Sequence, residues 1–373
     1  MYATVEWLEK GQIRRARWRS EAGLAAPLAV DVLDAANSVA ALWQQMRAGQ
    51  CLLWRGDWPR ARQLMQALSR LAERDFVVQT ASTAAAQFSR HRIVQGQRAA
   101  VLARFLVPLG PDFKLALPRA QDVRLACREA WGKPDGSSSV VALRELLAVI
   151  SAHEWRKKGV PVAAVGGSIH PHYGVFSPVR GEYVNLVAQA PLPTGCELAF
   201  DIGTGSGVLA AVLARRGVNV VATDMSPRAL VCAAENVEKL GLTAKIELLE
   251  ADLFPPGRAS LIVCNPPWLP AQPSSPIEYA VYDPDSQMLR GFLAGLREHL
   301  AVDGEGWLIL SDLAEHLELR SRDELAGWIR QAGLRVIDRI DTRPSHGKVQ
   351  DRNDPLHAAR AREVTSLWRL AKQ

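Results

Sequence analysis

The sequence predicts an α/β protein with a doubly wound, mostly parallel seven-stranded sheet, preceded by a mainly helical or α+β N-terminal domain. From Val160 onward, short apolar runs rich in β-branched residues alternate with helix-length stretches, which is the pattern of parallel strands covered by helices. No helical pattern separates the last two strands, so a final antiparallel hairpin is expected. The predicted strands lie near 197–202, 218–223, 244–249, 260–264, 306–310, 334–341 and 364–370. The predicted helices lie near 206–215, 227–239, 286–300 and 321–331.

The first 158 residues have a different hydrophobic pattern. Leu64, Leu68 and Leu71 recur at helical spacing with arginines between them, and a second helical pattern ends at Gly159 after a basic last turn. A length of 373 residues suits two domains. We therefore expect an N-terminal domain over 1–158, with a role in substrate or RNA recognition, and a second domain over 159–373.

Composition narrows the class of protein. The chain is 48% hydrophobic and 23% charged, and its N-terminus lacks the basic start and apolar core of a signal peptide. Its 5 cysteines include no CxxC pair, which argues against a disulfide framework and a structural zinc site. These observations predict a cytoplasmic protein without a membrane span.

Charge is distributed unevenly along the chain. Residues 1–160 hold 24 Lys and Arg against 14 Asp and Glu, whereas residues 161–373 hold 21 against 25. A basic N-terminal half is what a polyanion such as RNA would attract. An arginine-rich solvated surface explains the same numbers equally well, so both interpretations stay open.

A glycine-rich turn follows the first strand of the second domain. Asp201 is followed by Gly203, Gly205 and Gly207 and then by an apolar helix. Glycines allow positive φ and a close approach of ligand to backbone, and a helix N-terminus favours electron-rich groups. Dinucleotide-binding dehydrogenases also have such a turn, but their third glycine falls where this chain has Val208.

The next two strands also end in acids. Asp224 ends the second strand and can accept hydrogen bonds from both hydroxyls of a ribose. Asp252 follows the third strand and is expected at the same carboxyl edge of the sheet, where open α/β sheets bind ligands. Each acid alone suits a solvated turn, but three at consecutive strand ends predict one ligand crevice.

The fourth strand ends in Asn265-Pro266-Pro267-Trp268. One interpretation is a turn that simply terminates the strand, with the tryptophan in the core. The other is that the amide holds a planar nitrogen for chemistry. The preceding glycine turn and acids favour the second interpretation.

Together these motifs resemble the class I S-adenosylmethionine-dependent methyltransferases, which have a Rossmann-like fold. The segment from Asp201 to Gly207 is similar to their first motif, Asp224 to their ribose-binding acid and Asp252 to their adenine-contacting acid. The NPPW motif is similar to the (D/N)PP(Y/F/W) motif of the subset that methylates planar nitrogens. The resemblance covers residues 170 to about 310.

The resemblance implies S-adenosylmethionine as cofactor and a nitrogen as methyl acceptor. The residues implied to bind the cofactor are Asp201, Gly203, Thr204, Gly205, Gly207, Asp224, Met225, Asp252, Leu253 and Asn265. Methyl transfer is an in-line displacement, so the protein supplies mainly positioning and electrostatics.

The catalytic residues implied are Asn265, Pro266 and Trp268. The Asn265 side-chain carbonyl and the Pro266 backbone carbonyl would accept hydrogen bonds from the substrate NH₂ and aim its lone pair at the methyl group. Trp268 would stack on the planar substrate, with Pro267 beside it.

The segment upstream of the first strand is similar to one in the glutamine- and nucleobase-directed members. Tyr173, Phe176 and Arg180 are therefore candidates to cover the donor or bind substrate. His170 and His172 have no further ligands at metal-site spacing, so no metal is expected.

Two substrate classes remain. NPPW followed by Leu-Pro is similar to the motif of the release-factor glutamine methyltransferases (HemK/PrmC-like), with Trp in place of Tyr. The small-subunit rRNA guanine methyltransferases have a similar GVFS segment, and the basic N-terminal domain suits RNA. The sequence thus predicts an N-methyltransferase with RNA (rRNA or tRNA) preferred over a protein such as a translation factor. A non-catalytic binding protein of the same fold is the further alternative.

Overall fold

The computed structural model describes residues 2–34, 38–179, 181–273, 276–344 and 347–373. The chain forms two compact units. The N-terminal unit comprises Met1–Thr80 and Ser89–Glu154, and the C-terminal unit comprises Ala81–Phe88 and Trp155–Gln373.

A six-stranded mixed sheet organises the N-terminal unit. The strands run in the order β1-β2-β6-β5-β4-β3, and apolar side chains from all six strands form one cluster. The elements up to residue 158 are β1 (Thr4–Glu9), β2 (Gln12–Arg19), β3 (Val30–Leu33), α1 (Val39–Arg47), β4 (Cys51–Trp54), α2 (Trp58–Asp75), α3 (Ala84–Leu102), β5 (Phe105–Leu109), α4 (Arg124–Trp131), β6 (Ser139–Ala142) and α5 (Leu143–Lys158).

Two alternatives were left open for the N-terminal domain, mainly helical or α+β, and the observed sheet and helices correspond to α+β. Most of its strands are short. β4, for example, has four residues that are nearly all buried, and such a run cannot be told from a helix segment by periodicity. β2 is rich in arginine and exposed along its first half, so it lacks the alternating pattern of a strand.

The C-terminal unit alternates strands and helices as predicted. Its elements from residue 160 are β7 (Val160–Val162), β8 (Gly167–Ile169), α6 (Glu182–Gln189), β9 (Leu198–Ile202), α7 (Val208–Arg215), β10 (Asn219–Asp224), α8 (Pro227–Lys239), β11 (Ile246–Glu250), β12 (Ala259–Cys264), α9 (Gln287–His299), β13 (Leu300–Ser311), α10 (Leu313–His316), α11 (Arg322–Gln331), β14 (Leu334–Thr342), α12 (Gly347–Gln350), α13 (His357–Arg360) and β15 (Thr365–Lys372). Short 3₁₀ helices lie at Ala163–Val165, Pro276–Ala280 and Pro284–Ser286.

Seven of these strands form one sheet in the order β11-β10-β9-β12-β13-β15-β14. β9 to β13 pair in parallel, whereas β15 is antiparallel to both β13 and β14. The expected terminal hairpin is therefore confirmed. From β9 the strands β10 and β11 are added on one side of the sheet, whereas β12 and β13 are added on the other side. The strand order therefore changes direction between β9 and β12, and sheets of this kind bind ligands at such a switch point.

Helices cover both faces of this sheet. The α7-side cluster contains apolar residues of α6 and α7 together with Leu261 and Val263 of β12. The α9-side cluster contains apolar residues of α9 and α11 together with Ile262 and Cys264 of β12. Successive residues of one strand thus point to opposite faces, as strand geometry requires. The sheet is doubly wound.

Every helix in the described part of the chain is too short or too polar to cross a lipid bilayer.

Strand β13 offers a direct test of this core. Leu308 is 0% exposed and Val302, on the same strand, is 83% exposed. We expect Leu308→Ala to lower the free energy of unfolding by about 2–5 kcal/mol, since it deletes buried methyl groups and leaves a cavity. Val302→Ala should change it by less than about 0.5 kcal/mol. Urea unfolding followed by circular dichroism compares the two, and equal losses would contradict this assignment of the core.

Candidate active site

Four neighbouring strands end side by side at one edge of the sheet. Ile202 of β9 pairs with Thr223 of β10 and with Cys264 of β12, and Asp224 pairs with Glu250 of β11. The segments that follow these strands carry the glycine turn, Asp224, Asp252 and Asn265. The structure therefore places all four predicted features along one edge.

The glycine turn depends on left-handed backbone. Gly203, Gly205 and Gly207 have φ of 70°, 57° and 80°, a region that costs other residues about 1–2 kcal/mol. The Thr204 N–H donates to the Thr223 carbonyl at 2.8 Å, which ties the turn to β10. A Cβ built on Gly205 would meet nothing within 4 Å, whereas one on Gly207 would lie 3.2 Å from Ala233 Cβ on α8.

Asp201 lies beneath this turn and is 1% exposed. Its Oδ2 accepts hydrogen bonds from the Thr204 hydroxyl at 2.6 Å and from the Ala210 N–H at 3.0 Å. Burial raises the pKa of the Asp201 carboxyl to about 6, although these two hydrogen bonds act in the opposite direction. The carboxylate thus holds the turn against the start of α7.

Asp224 connects the turn to the next strand end. It accepts from the Gly205 N–H at 3.0 Å and from the Ser226 N–H at 2.9 Å. Burial raises its pKa, while these backbone hydrogen bonds lower it. A carboxylate has about four lone-pair sites, so acceptor capacity remains for a ligand. The neighbouring Met225 is 71% exposed, so it is not a core residue.

The turn after β11 has a strained backbone. Leu253 adopts φ of 70°, which is uncommon for a residue that is not glycine. Its carbonyl accepts from the Thr223 hydroxyl at 2.5 Å, and its side chain packs against the α9-side cluster. Asp252, just before it, is exposed to solvent.

The NPPW segment is anchored on both sides. Pro266 is buried, Asn265 and Pro267 are half-buried, and the Trp268 ring packs against the clusters on both faces of the sheet. The Trp268 indole N–H donates to Asn265 Oδ1 at 2.9 Å.

Leu269, directly after the motif, is fixed by the backbone. Its N–H donates to the Val281 carbonyl at 3.2 Å, and its carbonyl accepts from the Asp283 N–H at 2.8 Å. Its side chain belongs to a cluster with Phe88, whose ring lies 6.4 Å from that of Tyr282. The segment after the motif is therefore part of a packed structure.

Sequence analysis missed Asp283, which links the residue after the motif to the start of α9. Its carboxylate accepts from the N–H groups of Met288 and Leu289 at the start of α9, at 3.0 and 3.1 Å. Burial raises its pKa. An Asp-Pro dipeptide shortly before a helical pattern is a helix-start signal that could have identified it.

The upstream candidates lie apart from one another. The Tyr173 ring lies 5.6 Å from the Arg228 guanidinium at the start of α8, whereas Phe176 packs against the α7-side cluster. Arg180 lies outside the described residues. The His172 ring nitrogen Nε2 lies 3.0 Å from a Glu235 carboxylate oxygen. Within the described ranges, no group of three or more His, Cys, Asp or Glu is arranged to hold a metal ion.

Comparison with known proteins identifies the family. A family profile described as "Methyltransferase small domain" matches residues 167–318. A release factor glutamine methyltransferase of Gloeobacter violaceus is 31% identical over 227 residues, covering 52% of this chain and 77% of that protein. The chain belongs to the class I S-adenosylmethionine-dependent methyltransferases. The predicted resemblance, fold class and methyl donor are thereby confirmed.

Other relatives of this methyltransferase match over shorter stretches. A release factor glutamine methyltransferase of Cereibacter sphaeroides is 36% identical over 131 residues, 34% of this chain and 43% of that protein. A ribosomal protein uL3 glutamine methyltransferase of Bradyrhizobium diazoefficiens is 37% identical over 118 residues, 30% of this chain and 35% of that protein. The chain thus spans less than half the length of these two relatives.

The glycine turn makes two stability predictions. Gly205→Ala should lower the free energy of unfolding by about 1 kcal/mol, the cost of left-handed backbone for an L-residue. Gly207→Ala has the same cost and also brings a methyl group against the backbone and side chain of Ala233, so it should lose about 1–3 kcal/mol more. Thermal or urea unfolding of both variants measures the difference. Equal losses would show that contact with α8 is unimportant.

Asp201 makes the stability of the methyltransferase depend on pH. Its pKa of about 6 in the folded state compares with about 3.9 in an unfolded chain. Between these values the folded state binds more protons, so the free energy of unfolding falls as pH rises. Asp201→Asn cannot titrate. From pH 4 to 6, wild type should therefore lose on the order of 2 kcal/mol relative to this variant. Parallel stability curves from urea unfolding at several pH values would contradict the raised pKa.

Proposed function

We propose that this chain transfers a methyl group from S-adenosylmethionine to a planar nitrogen that carries two hydrogens. The observation that carries the proposal is the position of Asn265. Asn265 directly follows the last residue of β12, and β12 pairs with β9, the strand that leads into the glycine turn. An acceptor at that edge can orient a substrate N–H next to a donor bound over the turn.

The residues around the turn suit this donor. Open space lies where a Gly205 side chain would be, so a ligand can approach the backbone closely. Asp224 would hold the ribose hydroxyls, and the exposed Met225 would lie against the adenine. Asp252 and Leu253 would meet the adenine edge, Gly203 and Gly207 would keep the turn compact, and Thr204 and Asp201 would brace it from below. Bound S-adenosylmethionine supplies an electrophilic methyl group attached to a sulfonium.

The NPPW motif would prepare the acceptor nitrogen. The lone pair of an amide or nucleobase NH₂ is delocalised into its π-system, which makes it a poor nucleophile. The Asn265 side-chain carbonyl and the Pro266 backbone carbonyl would each accept one N–H and favour a more tetrahedral nitrogen. Pro267 and the accessible part of the Trp268 ring would bound the substrate plane. The proton can leave after the methyl group arrives, so no side-chain base is needed.

We propose a glutamine side chain of a protein of the translation apparatus as the first substrate candidate. The relatives described above are named for glutamine in release factors and in a ribosomal protein. That reverses the order predicted from the sequence, which preferred RNA. A glutamine amide offers the two N–H groups that the motif would accept. Substrates of translation would place the reaction in the cytoplasm.

A nucleobase amino group in RNA is the second candidate. It is favoured by the excess of 24 Lys and Arg over 14 Asp and Glu in residues 1–160, because cationic surfaces attract the phosphate backbone. We propose that residues 1–158, as a domain, recognise the substrate in either case. Tyr173, Phe176 and Arg180 would contribute from the segment before β9.

Transfer of labelled methyl groups tests the function and separates the substrates. The enzyme is incubated with S-adenosylmethionine labelled in its methyl group and an extract of cells that lack this protein. The label is then followed through protease and ribonuclease digestion. Release by protease, with methylglutamine in the hydrolysate, supports the first candidate, and release by ribonuclease supports the second. Absence of labelling together with binding of NAD in calorimetry would overturn the proposal.

Asn265→Ala should lower kcat by about 10²–10³-fold, because it removes one preorganised acceptor that acts on the reacting nitrogen. Calorimetry should find a smaller change, at most about tenfold, in the Kd of S-adenosylmethionine, because Asn265 is one of ten residues implied to bind it and a single lost hydrogen bond has about this effect. Asn185→Ala, an exposed asparagine on α6, is the matched control and should keep full activity. Undiminished labelling by the Asn265 variant would refute the role of the motif.

A further inference from the structure

The side chains of Trp268 and Asn265 are hydrogen-bonded to each other within the NPPW motif. The indole N–H donates to Asn265 Oδ1 at 2.9 Å. The two residues are separated only by Pro266 and Pro267, whose rings fix φ and make the spacing between them rigid. The Trp268 ring is wedged between apolar residues of both sheet faces. The donor is therefore held in place from outside the motif.

This hydrogen bond selects one orientation of the amide. The two ends of an asparagine side chain have nearly the same shape, but one is an acceptor and the other a double donor. An indole N–H can only donate, so the favourable partner is Oδ1. The opposite orientation would leave two donors facing each other. It would also present N–H groups to a substrate NH₂, which needs acceptors.

The hydrogen bond leaves the acceptor usable. A carbonyl oxygen has two lone pairs, so one remains on Oδ1 after the indole is bound. The backbone after Trp268 restricts movement of the indole ring, since Leu269 is hydrogen-bonded to Val281 and Asp283. The side chain of Asn265 is thus oriented before substrate arrives.

We infer that Trp268 is a positioning residue that acts through Asn265. Its indole N–H fixes the amide so that Oδ1 presents its free lone pair to the substrate nitrogen. This inference rests on the proposed N-methyltransferase function and adds to the stacking role of the ring. It also gives a specific use to a tryptophan at this position, because a phenyl ring in the same place would pack but could not donate.

The N–H can be removed without removing the ring. 3-Benzothienylalanine, inserted at position 268 by stop-codon suppression, carries sulfur in place of the indole N–H. The enzyme with this analogue should have a kcat about tenfold below that of the enzyme in which Trp is inserted at position 268 in the same way. A loss of about tenfold corresponds to one lost hydrogen bond. The KM for S-adenosylmethionine should not change. The same replacement at Trp328, which lies on α11 and packs against the α9-side cluster, should leave kcat unaltered and serves as the control.

A double-variant cycle separates positioning from general packing. In the Asn265→Ala background, the replacement at position 268 should cause no further loss of kcat, because the group it acts through is gone. Independently of activity, the Trp268 indole ¹H–¹⁵N signal, assigned by its loss in Trp268→Phe, should move upfield in Asn265→Ala. An inactive wild type would defeat the proposed function. With an active wild type, any of three results would overturn this inference. These are an unchanged kcat with the sulfur analogue, a loss of kcat that the analogue still causes in the Asn265→Ala background, and an indole signal that does not move in Asn265→Ala.

Discussion

The hydrogen bonds of two carboxylates, the buried Asp201 and the half-buried Asp224, hold together the edge on which the site depends. Asp201 fixes the glycine turn to the start of α7, and Asp224 fixes the same turn to the end of β10. Both carboxyls have raised pKa values because burial penalises their charge. The fold tolerates this cost because backbone N–H groups at a tight turn need acceptors.

The second half of the site follows from strand pairing. The pairing of Ile202 with Cys264 brings the glycine turn and the NPPW motif to the ends of adjacent strands, although more than 50 residues separate them in the chain. The residues proposed to bind the methyl donor and those proposed to bind the acceptor thus follow neighbouring strands of one sheet. The proposed methyl transfer is an in-line displacement, whose rate depends on the alignment of these two groups.

Sequence patterns predicted the elements of the C-terminal unit well, because the residues that start and end them are adjacent in the sequence. The helix at 227–239 was predicted with its observed bounds, since Ser226 and Pro227 mark its start. The strands of the N-terminal sheet were not predicted individually, since β3, β4 and β6 have only four residues each and pair with distant segments. The bond between Trp268 and Asn265 was missed for another reason. Spacing reveals that two residues are near, but rotamer and packing decide which atom faces which.

The packing around Leu269 shows why the site and the predicted domain boundary do not coincide. Phe88, from the segment Ala81–Phe88, lies in the same apolar cluster as Leu269, Leu313 and Leu317 of the C-terminal unit. Leu269 directly follows the motif, so a side chain from the first 158 residues helps to fix the segment that carries Trp268. A chain divided at residue 158 would keep every residue of the glycine turn and the motif. It would nevertheless lose the aromatic contact between Phe88 and Tyr282. The segment proposed to bind the acceptor therefore packs against a side chain of the early chain, whereas the glycine turn is held by hydrogen bonds to Asp201, Thr223 and Asp224 of β9 and β10.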